Sequence, residues 1–502
     1  MNKLKIVFFV LTCVLLATCF SGGENGTDEE KDYVIVVPPK PNPDAVEGQL
    51  IVVGNKVYNM QTAEEYRLLG VNIWEYDIMG NDRFRYMRSM EWVFEKWHGT
   101  VIRIPLEVEA TEIYSGGQKR PQGDYPAYID RVKELVAIAE KHKKYVILDL
   151  HTYVAPTEKC VSFWRYWAQE PGIANNPYVL FGLQNEPYDV SWDTWRNGGF
   201  ETVGGEYRYG FQPLLEMIRD LGAKNIVLAG GLDWGYDLRG IVGEAPGDRK
   251  VYALIDQGSG GDKSKTGYGI IYDTHIYPWK GMGEWYAAGQ VPGKTLEYAV
   301  NDWIDKIGGT RKIAPVLVGE IGWAFSDTGN ILASIGSFRR MEVRSAFMEA
   351  EFSPDRYYVD GKFAIEAELA PEGFVGDFIP AGASNHKYWM TAILDFFDDE
   401  VTYGSKMHYT GWCYHFGVSP ILLRPTGQNG VNDPNNYGRW DPAVASRLSS
   451  LNAGNRCVGH PNFIGELSTE ELEFLYKPNH FSGQYLYDHM RQAARDRGEF
   501  VD

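Results

Sequence analysis

Two glutamates each stand at the end of an apolar run that is typical of a buried β-strand. Residues 178–187 read YVLFGLQNEP and include Asn185 and Glu186, and residues 315–320 read PVLVGE and end in Glu320. A carboxylate at the carboxyl end of a buried parallel strand is costly for folding unless it is solvated, paired or used in catalysis. Each glutamate alone also fits a salt-bridged strand end. Two carboxylates at one mouth, however, provide the acid and the nucleophile or base that cleavage of a glycosidic bond requires.

The surrounding sequence predicts eight strands that alternate with helices. The predicted strands are 71–74, 100–105, 145–150, 178–184, 225–230, 269–274, 315–319 and 409–414. Helical periodicity occurs in 82–97, 128–142, 207–221, 295–307 and 482–497. This alternation predicts an α/β fold, a (β/α)8 TIM barrel, whose strand ends form one mouth. Long insertions, 324–385 after strand seven and 416–480 after strand eight, are expected to wall that mouth.

The composition excludes some classes of partner. A chain of 502 residues, 44% of them hydrophobic, can bury the core of one large barrel or of two domains. Its net charge of −18 argues against binding nucleic acid or an anionic membrane surface, and a neutral substrate fits better. The 15 Trp and 32 Tyr side chains suit the apolar faces of sugar rings, although most of them are expected to pack in the core.

The N-terminus has the pattern of a secretory signal. Lys3 and Lys5 precede the apolar run 6–17, which is too short to cross a membrane. Residues 16–19 read LATC and resemble a bacterial lipobox, so we expect a signal peptide at 1–18 and lipidation of Cys19. Ordinary cleavage nearby is the alternative. A flexible tether at 19–48 and one catalytic barrel domain at 49–502 would follow.

These features predict an exported lipoprotein at the cell surface or in the periplasm of a Gram-negative bacterium, held at the outer membrane only by its lipid. Beyond the lipidation site the chain has three cysteines, Cys160, Cys413 and Cys457. An odd number does not define a disulfide framework, although the compartment would allow one pair. The sequence contains neither C-x-x-C nor H-E-x-x-H, so it carries no zinc motif of these types.

The order of polar and aromatic residues at the predicted strand ends resembles glycoside hydrolase family 5 over residues 66–415. The matching residues are Arg103 at strand two, His151 at strand three, Asn185 and Glu186 at strand four, His275 and Tyr277 at strand six, Glu320 at strand seven and Trp412 at strand eight. Any one of these matches is weak. Their occurrence in one ordered set makes the resemblance specific.

The resemblance implies a retaining mechanism. Glu186 would be the general acid/base, with a raised pKa, and Glu320 the nucleophile, kept ionised by Tyr277 and Arg103. The two carboxyl groups would then lie about 5–5.5 Å apart. Asn185 would bind the 2-hydroxyl of the attacked sugar. No metal or organic cofactor is implied.

The resemblance also implies substrate-binding residues. His151 and His275 would orient hydroxyl groups, and Trp412 would form the floor under the attacked ring. Trp234 and Trp323 fall just after predicted strands and are further candidates for sugar contacts, with packing as the alternative.

The sequence therefore predicts a monomeric, retaining, endo-acting β-glycoside hydrolase that binds a plant cell-wall polysaccharide or its oligosaccharides. A β-1,4-glucan, of cellulose or xyloglucan type, is the first expectation and β-mannan the second. Two alternatives stay open. One is a surface glycan-binding lipoprotein that kept the barrel without catalysis, and the other is an exo-acting or transglycosylating β-glycosidase with the same residues.

Overall fold

Eight parallel strands close into a barrel in the order in which they occur along the chain. They are β1 (Leu69–Asn72), β2 (Val101–Leu106), β3 (Tyr145–Leu150), β4 (Val179–Gly182), β5 (Val227–Gly230), β6 (Ile270–Ile276), β7 (Val316–Ile321) and β8 (His408–Gly411). The predicted (β/α)8 barrel is thus confirmed. The computed structural model describes residues 36–73, 83–106, 114–115, 118–119, 125–200, 207–256, 269–277, 296–322, 358–359, 362–363, 385–414, 422–423, 469, 472–473, 476–478 and 482–499.

The longer helices that accompany the strands are α1 (Arg83–Trp92), α2 (Tyr125–His142), α3 (Glu158–Trp167), α4 (Trp192–Asn197), α5 (Phe211–Asp220), α6 (Leu296–Ile313), α7 (Asn385–Asp398) and α8 (Gly483–Asp496). A π-helical turn, Val93–Trp97, continues α1. The five predicted helical segments correspond to α1, α2, α5, α6 and α8.

The main core lies between the barrel and the helices. Most barrel strands are buried along their whole length, which explains why they read as continuous apolar runs. Helix α3 buries Trp164 and Trp167 on its apolar face. The Trp164 indole nitrogen donates to the Leu183 carbonyl (2.9 Å), and that of Trp195 in α4 donates to Gly230 (2.8 Å). Two buried tryptophans therefore fix the backbone where β4 and β5 end.

Strand β4 ends earlier than predicted, at Gly182. Leu183 N still donates to Leu228 O of β5 (2.9 Å), and the chain then continues beside the end of β3, where Asn185 N donates to Leu150 O (2.9 Å). Glu186 and Pro187 form a separate two-residue strand that pairs in parallel with Tyr153–Val154. Glu186 was predicted at the tip of strand four. It lies four residues beyond the end of β4, in this separate two-residue strand at the mouth.

A hairpin that the sequence analysis did not predict closes the amino-terminal end of the barrel. Its strands, Leu50–Val53 and Lys56–Asn59, are antiparallel, and Leu50 and Val57 join the apolar cluster inside the barrel. Part of the segment assigned to the tether lies against the same end. Ala45 is buried beside the hairpin, and the Gly48 carbonyl accepts a hydrogen bond from the Tyr145 hydroxyl (2.6 Å).

Several sequence predictions fall outside the described residues. These are the signal peptide, Cys19, Cys457 and nearly all of the insertions 324–385 and 416–480. Cys160 and Cys413 are both buried. Among the helices that are described, none is both long and apolar enough to span a membrane.

Candidate active site

Arg103, on β2, is the hub of a buried polar network at the barrel mouth. Its guanidinium donates to Glu320 Oε1 (3.0 Å), Asn72 Oδ1 (2.8 Å) and Asn185 Oδ1 (2.6 Å). It also pairs with Asp149 Oδ2 at 2.9 Å. Burial alone would lower the pKa of Arg103, but the nearby carboxylates of Asp149 and Glu320 raise it above its ordinary value. The group is therefore a permanent positive charge that binds side chains from the ends of four other strands.

Glu320, on β7, is buried with both carboxylate oxygens occupied. Oε1 accepts from Arg103, and Oε2 accepts from the Tyr277 hydroxyl at 2.5 Å. Burial and the neighbouring Glu320 charge raise the pKa of Tyr277 well above its ordinary value, so this hydroxyl remains a donor. Asn72 supports the same strand, since its Nδ2 donates to the Gly319 carbonyl at 2.8 Å. The carboxylate is thus fixed between a guanidinium and a phenol.

Glu186 has a different environment. Its side chain is 13% exposed, and its Oε1 lies 2.9 Å from Nδ1 of the fully buried His275. The same Nδ1 lies 3.6 Å from Glu320 Oε2. One ligand atom from each of Glu186, His275 and Glu320 lies within 4.8 Å of the others. The two carboxylates therefore face each other across one imidazole, a spacing compatible with the retaining separation of about 5–5.5 Å.

His275 carries positive charge at neutral pH. Its complete burial lowers the pKa, but the carboxylates of Glu320, Asp273 and Glu186 outweigh that effect and raise the pKa of His275 to about 9. A doubly protonated ring donates from both nitrogens. Its Nδ1–H is therefore directed at the two glutamates.

His151 and Trp412 contact each other at the mouth. Their rings stack at 5.6 Å with an interplanar angle of 7°. Trp412 follows directly after β8 and is 6% exposed, and His151 Nδ1 lies 3.0 Å from Asp149 Oδ2. The structure thus brings together all eight residues that carry the family resemblance.

Of the two further tryptophans predicted to contact sugar, the structure describes one. Trp234, in the loop after β5, is 41% exposed and stacks on Tyr188 at 3.7 Å and 7°. Trp323 lies outside the described residues.

Four residues of this region were not predicted from the sequence: Asn72, Asp149, Tyr188 and Asp273. The two aspartates could have been found, because the pattern Asp-x-His occurs at 149–151 and again at 273–275, each time at a predicted strand end. Asn72 offered a weaker signal, as a polar residue inside an apolar run.

The two glutamates and His275 could also be arranged around a cation. Glu186, His275 and Glu320 present their ligand atoms close together. A cation there would, however, lie beside the Arg103 guanidinium, 3.0 Å from Glu320, and a positively charged His275. Because both neighbours are positive, the electrostatics favour acid–base chemistry over cation binding.

Comparison with known proteins gives a consistent picture. Endoglucanase Z of Dickeya dadantii is 24% identical over 191 residues, which cover 38% of this chain and 40% of that protein. Cellulase CelDZ1 of Thermoanaerobacterium is 24% identical over 241 residues, 46% of this chain and 58% of that protein. The chain thus spans about half the length of these relatives.

A solved structure, β-glucanase SdGluc5_26A from Saccharophagus degradans in complex with cellotetraose, aligns over 83% of this chain and 98% of that one, with a TM-score of 0.46 and 19% identity. The family model described as Cellulase (glycosyl hydrolase family 5) matches residues 58–338, more than half of the chain. The family predicted from the strand-end residues is therefore confirmed, and the protein belongs to glycosyl hydrolase family 5.

Proposed function

We propose that the protein is a retaining, endo-acting β-glycoside hydrolase that cleaves a β-1,4-glucan. The observation that carries the proposal is the contrast between two adjacent carboxylates. Glu320 is held by Arg103 and Tyr277, as a nucleophile must be, whereas Glu186 is more exposed and contacts His275. Two carboxyl groups in unlike environments are the pattern by which acid and nucleophile are told apart.

The reaction would proceed in two displacements. In the first, a Glu320 oxygen bonds to the anomeric carbon while the glycosidic C–O bond breaks and Glu186 gives its proton to the departing oxygen. In the second, Glu186 takes a proton from water, the water oxygen bonds to the anomeric carbon, and the bond to Glu320 breaks. The configuration of the sugar is retained because it is inverted twice.

Neighbouring residues would position the attacked sugar. Arg103 donates to Asn185 Oδ1, which fixes the amide so that its Nδ2 group is the donor directed at a 2-hydroxyl. A contact of this kind strengthens as the oxocarbenium ion develops. The Trp412 ring, stacked on His151, supplies a flat apolar floor.

An aromatic cluster beside Glu186 supports a sugar as the leaving group. It consists of Tyr153, Tyr188 and Trp234, which come from the loops after β3, β4 and β5, and the rings of Tyr153 and Trp234 lie 5.7 Å apart. In the closed barrel these strands lie opposite β8, which precedes Trp412. The attacked ring on Trp412 and a leaving sugar on the aromatic cluster would therefore flank the acid between them.

Three residues in or next to this aromatic cluster have left-handed backbone conformations. Trp234 itself has a φ of 60°, Val154 follows Tyr153 with a φ of 76°, and Asp189 follows Tyr188 with a φ of 54°. Left-handed conformations are unfavourable for such residues, for a β-branched one most of all, and they occur preferentially at functional sites. The strain at three separate loops supports a binding role for the rings that they carry.

The identity of the glycan rests on two further observations. The net charge of −18 disfavours an anionic polysaccharide, and the relatives are named as endoglucanases and a cellulase. A glucan backbone, plain or substituted as in xyloglucan, is therefore the first choice, and β-mannan follows.

The test is hydrolysis of soluble cellulose derivatives, mixed-linkage glucan, xyloglucan and mannan, followed by reducing-sugar release and product length. A glucan should be cleaved internally, giving a mixture of intermediate lengths early in the digestion, with a β-configured new reducing end by proton NMR. Glu186→Gln and Glu320→Gln should each lower turnover by about 10³-fold or more while glycan binding persists. Binding without hydrolysis by the wild-type protein would refute the enzyme, and release of short units from one chain end would refute endo action.

We further propose that the barrel domain, 49–502, is exported by the signal at 1–18 and anchored through Cys19 as a monomer. The lipobox-like LATC supports this. Labelled palmitate should be incorporated by the wild type and not by Cys19→Ala. Equal labelling of both proteins would refute lipidation at Cys19, and light scattering of the soluble domain would test the monomer.

A further inference from the structure

The barrel interior beneath the two glutamates contains two buried aspartates in equivalent places. Asp149 precedes His151 by two residues at the end of β3, and Asp273 precedes His275 by two residues on β6. Alternate residues of a strand share one side, so each aspartate lies one step below its histidine. The two aspartates are only 1% and 3% exposed.

Glycines on the neighbouring strands make room for both carboxylates. A Cβ on Gly319 would lie 2.5 and 2.6 Å from the Asp273 oxygens, and one on Gly182 would lie 2.9 Å from Asp149 Oδ1. Gly319 directly precedes Glu320. The space below the catalytic pair is therefore shaped to hold a negative charge, although burying a carboxylate is costly unless a positive partner is present.

The partners of the two aspartates differ. Asp149 pairs with the permanent charge of Arg103 at 2.9 Å. Asp273 accepts a hydrogen bond from Gly319 N at 2.7 Å, and its other oxygen lies 3.6 Å from His275 Nε2. Within the described part of the chain His275 is the one basic side chain within 4.0 Å of Asp273. The nearest positive charge to Asp273 is thus a group that can lose its proton, and Arg103 acts on Asp273 from farther away.

Three carboxylates face His275 among the described residues. Glu186 and Glu320 approach Nδ1 at 2.9 and 3.6 Å, and Asp273 approaches Nε2. From the β5 loop, Gly235 packs on the ring and brings no charge, and from β2 the nearest charge is the Arg103 cation. Attraction from both sides of the ring explains why the pKa of His275 is raised to about 9 in spite of burial.

We propose that Asp273 is a positioning residue that keeps His275 doubly protonated and orients its Nδ1–H toward Glu186 throughout turnover. The inference rests on the proposed hydrolase function. When Glu186 gives its proton to the leaving oxygen it becomes a carboxylate beside Glu320, and the adjacent imidazolium stabilises that new charge. His275 keeps both of its protons, and the proton that restores Glu186 comes from water in the second displacement.

The test is the pH dependence of hydrolysis by Asp273→Asn. Asparagine keeps an oxygen to accept from Gly319 N but removes the charge, so His275 should lose its second proton at lower pH. The neutral ring no longer favours the Glu186 carboxylate, so Glu186 should keep its proton to higher pH, and the alkaline limb of kcat/KM should move about one unit or more away from neutral pH. The comparison variant Asp149→Asn removes an equally buried charge that faces Arg103 and His151 and not His275, and its alkaline limb should stay in place. A uniform loss at every pH in Asp273→Asn would overturn the proposal and leave a structural role only.

A direct measurement covers the case in which Asp273→Asn does not fold. In the wild-type protein, ¹⁵N chemical shifts of the His275 ring, assigned with His275→Gln, should report an imidazolium at pH 8. A neutral ring at pH 7 would overturn the proposal. This measurement needs no substrate, so a neutral ring contradicts the role of Asp273 whatever the protein hydrolyses. A wrong hydrolase function would show itself separately, as wild-type protein without activity.

Discussion

Replacing Trp234 with alanine should weaken the hold on the leaving sugar while the bond-breaking residues stay in place. The Trp234 ring is covered on one face by Tyr188, stacked at 3.7 Å, and 41% of the residue is exposed. The glycosidic oxygen that Glu186 would protonate belongs to the leaving sugar. Contacts made by Trp234 should therefore matter only when the leaving group is a sugar.

The size of the effect follows from the exposed surface of Trp234. A tryptophan presents about 250 Å², so 41% exposure leaves about 100 Å² for a sugar to cover. If a sugar covers between half and all of that area, the loss at 25 cal/mol per Å² is about 1.2–2.5 kcal/mol. This corresponds to a decrease of about sevenfold to sixtyfold in kcat/KM.

The assay compares two substrates with the same attacked unit, cellopentaose and β-cellobiosyl fluoride. Fluoride cannot contact Trp234 as a sugar would, so the ratio of kcat/KM for the pentasaccharide to that for the fluoride should fall by the amount above in Trp234→Ala. The control is Tyr298→Ala on helix α6, since Tyr298 is also 41% exposed and should leave the ratio unchanged. An unchanged ratio in Trp234→Ala, or an equal loss on both substrates, would refute the reasoning.

Three further outcomes are expected. Azide should restore activity to Glu320→Gly with an inverted glycosyl azide as product, and to Glu186→Gly with a retained one; chromatography and NMR of the azides would reveal exchanged roles if the outcomes were swapped. Gly319→Ala should lower the free energy of unfolding by about 1–3 kcal/mol, because its Cβ would lie 2.5 Å from an Asp273 oxygen, and an unchanged urea midpoint would contradict this close packing. The folded-state pKa of about 9 for His275 exceeds the ordinary value of 6.5, so this group stabilises the fold below pH 6.5 and loses that contribution as the pH rises to 9. Between these two pH values the free energy of unfolding should fall by about 3 kcal/mol more in the wild type than in His275→Gln. An equal fall in both proteins, measured by urea unfolding, would contradict this.

The strands and the two glutamates at the barrel mouth were predictable because their signals are local. The run 145–150 became β3 with the same bounds, and each glutamate follows an apolar run that ends in polar residues. A buried parallel strand must be apolar on both faces, so a continuous apolar run in the sequence indicates where the strand lies, and the first polar residues after the run indicate where it ends.

The buried supports of the site were not predicted, because each depends on a contact between residues that are far apart in the sequence and lie on adjacent strands. Asp149 and Asp273 stand inside apolar runs, and only the closed barrel shows that Gly182 and Gly319 make space for them. The left-handed backbone of Trp234 could not be predicted from the sequence either, since a tryptophan has no local preference for this conformation. Strand four was predicted to be too long because the end of its pairing with β5, after Leu183, leaves no trace in the composition.

The amino-terminal hairpin has a consequence for how the enzyme meets its substrate. The segment 42–48 lies at the end of the barrel where the strands begin, beside Tyr145, the first residue of β3, whereas Glu186 and Glu320 lie where the strands finish. The segment 42–48 therefore lies at the end of the barrel opposite to Glu186 and Glu320. A polymer entering the mouth would meet the barrel on the side away from residues 42–48.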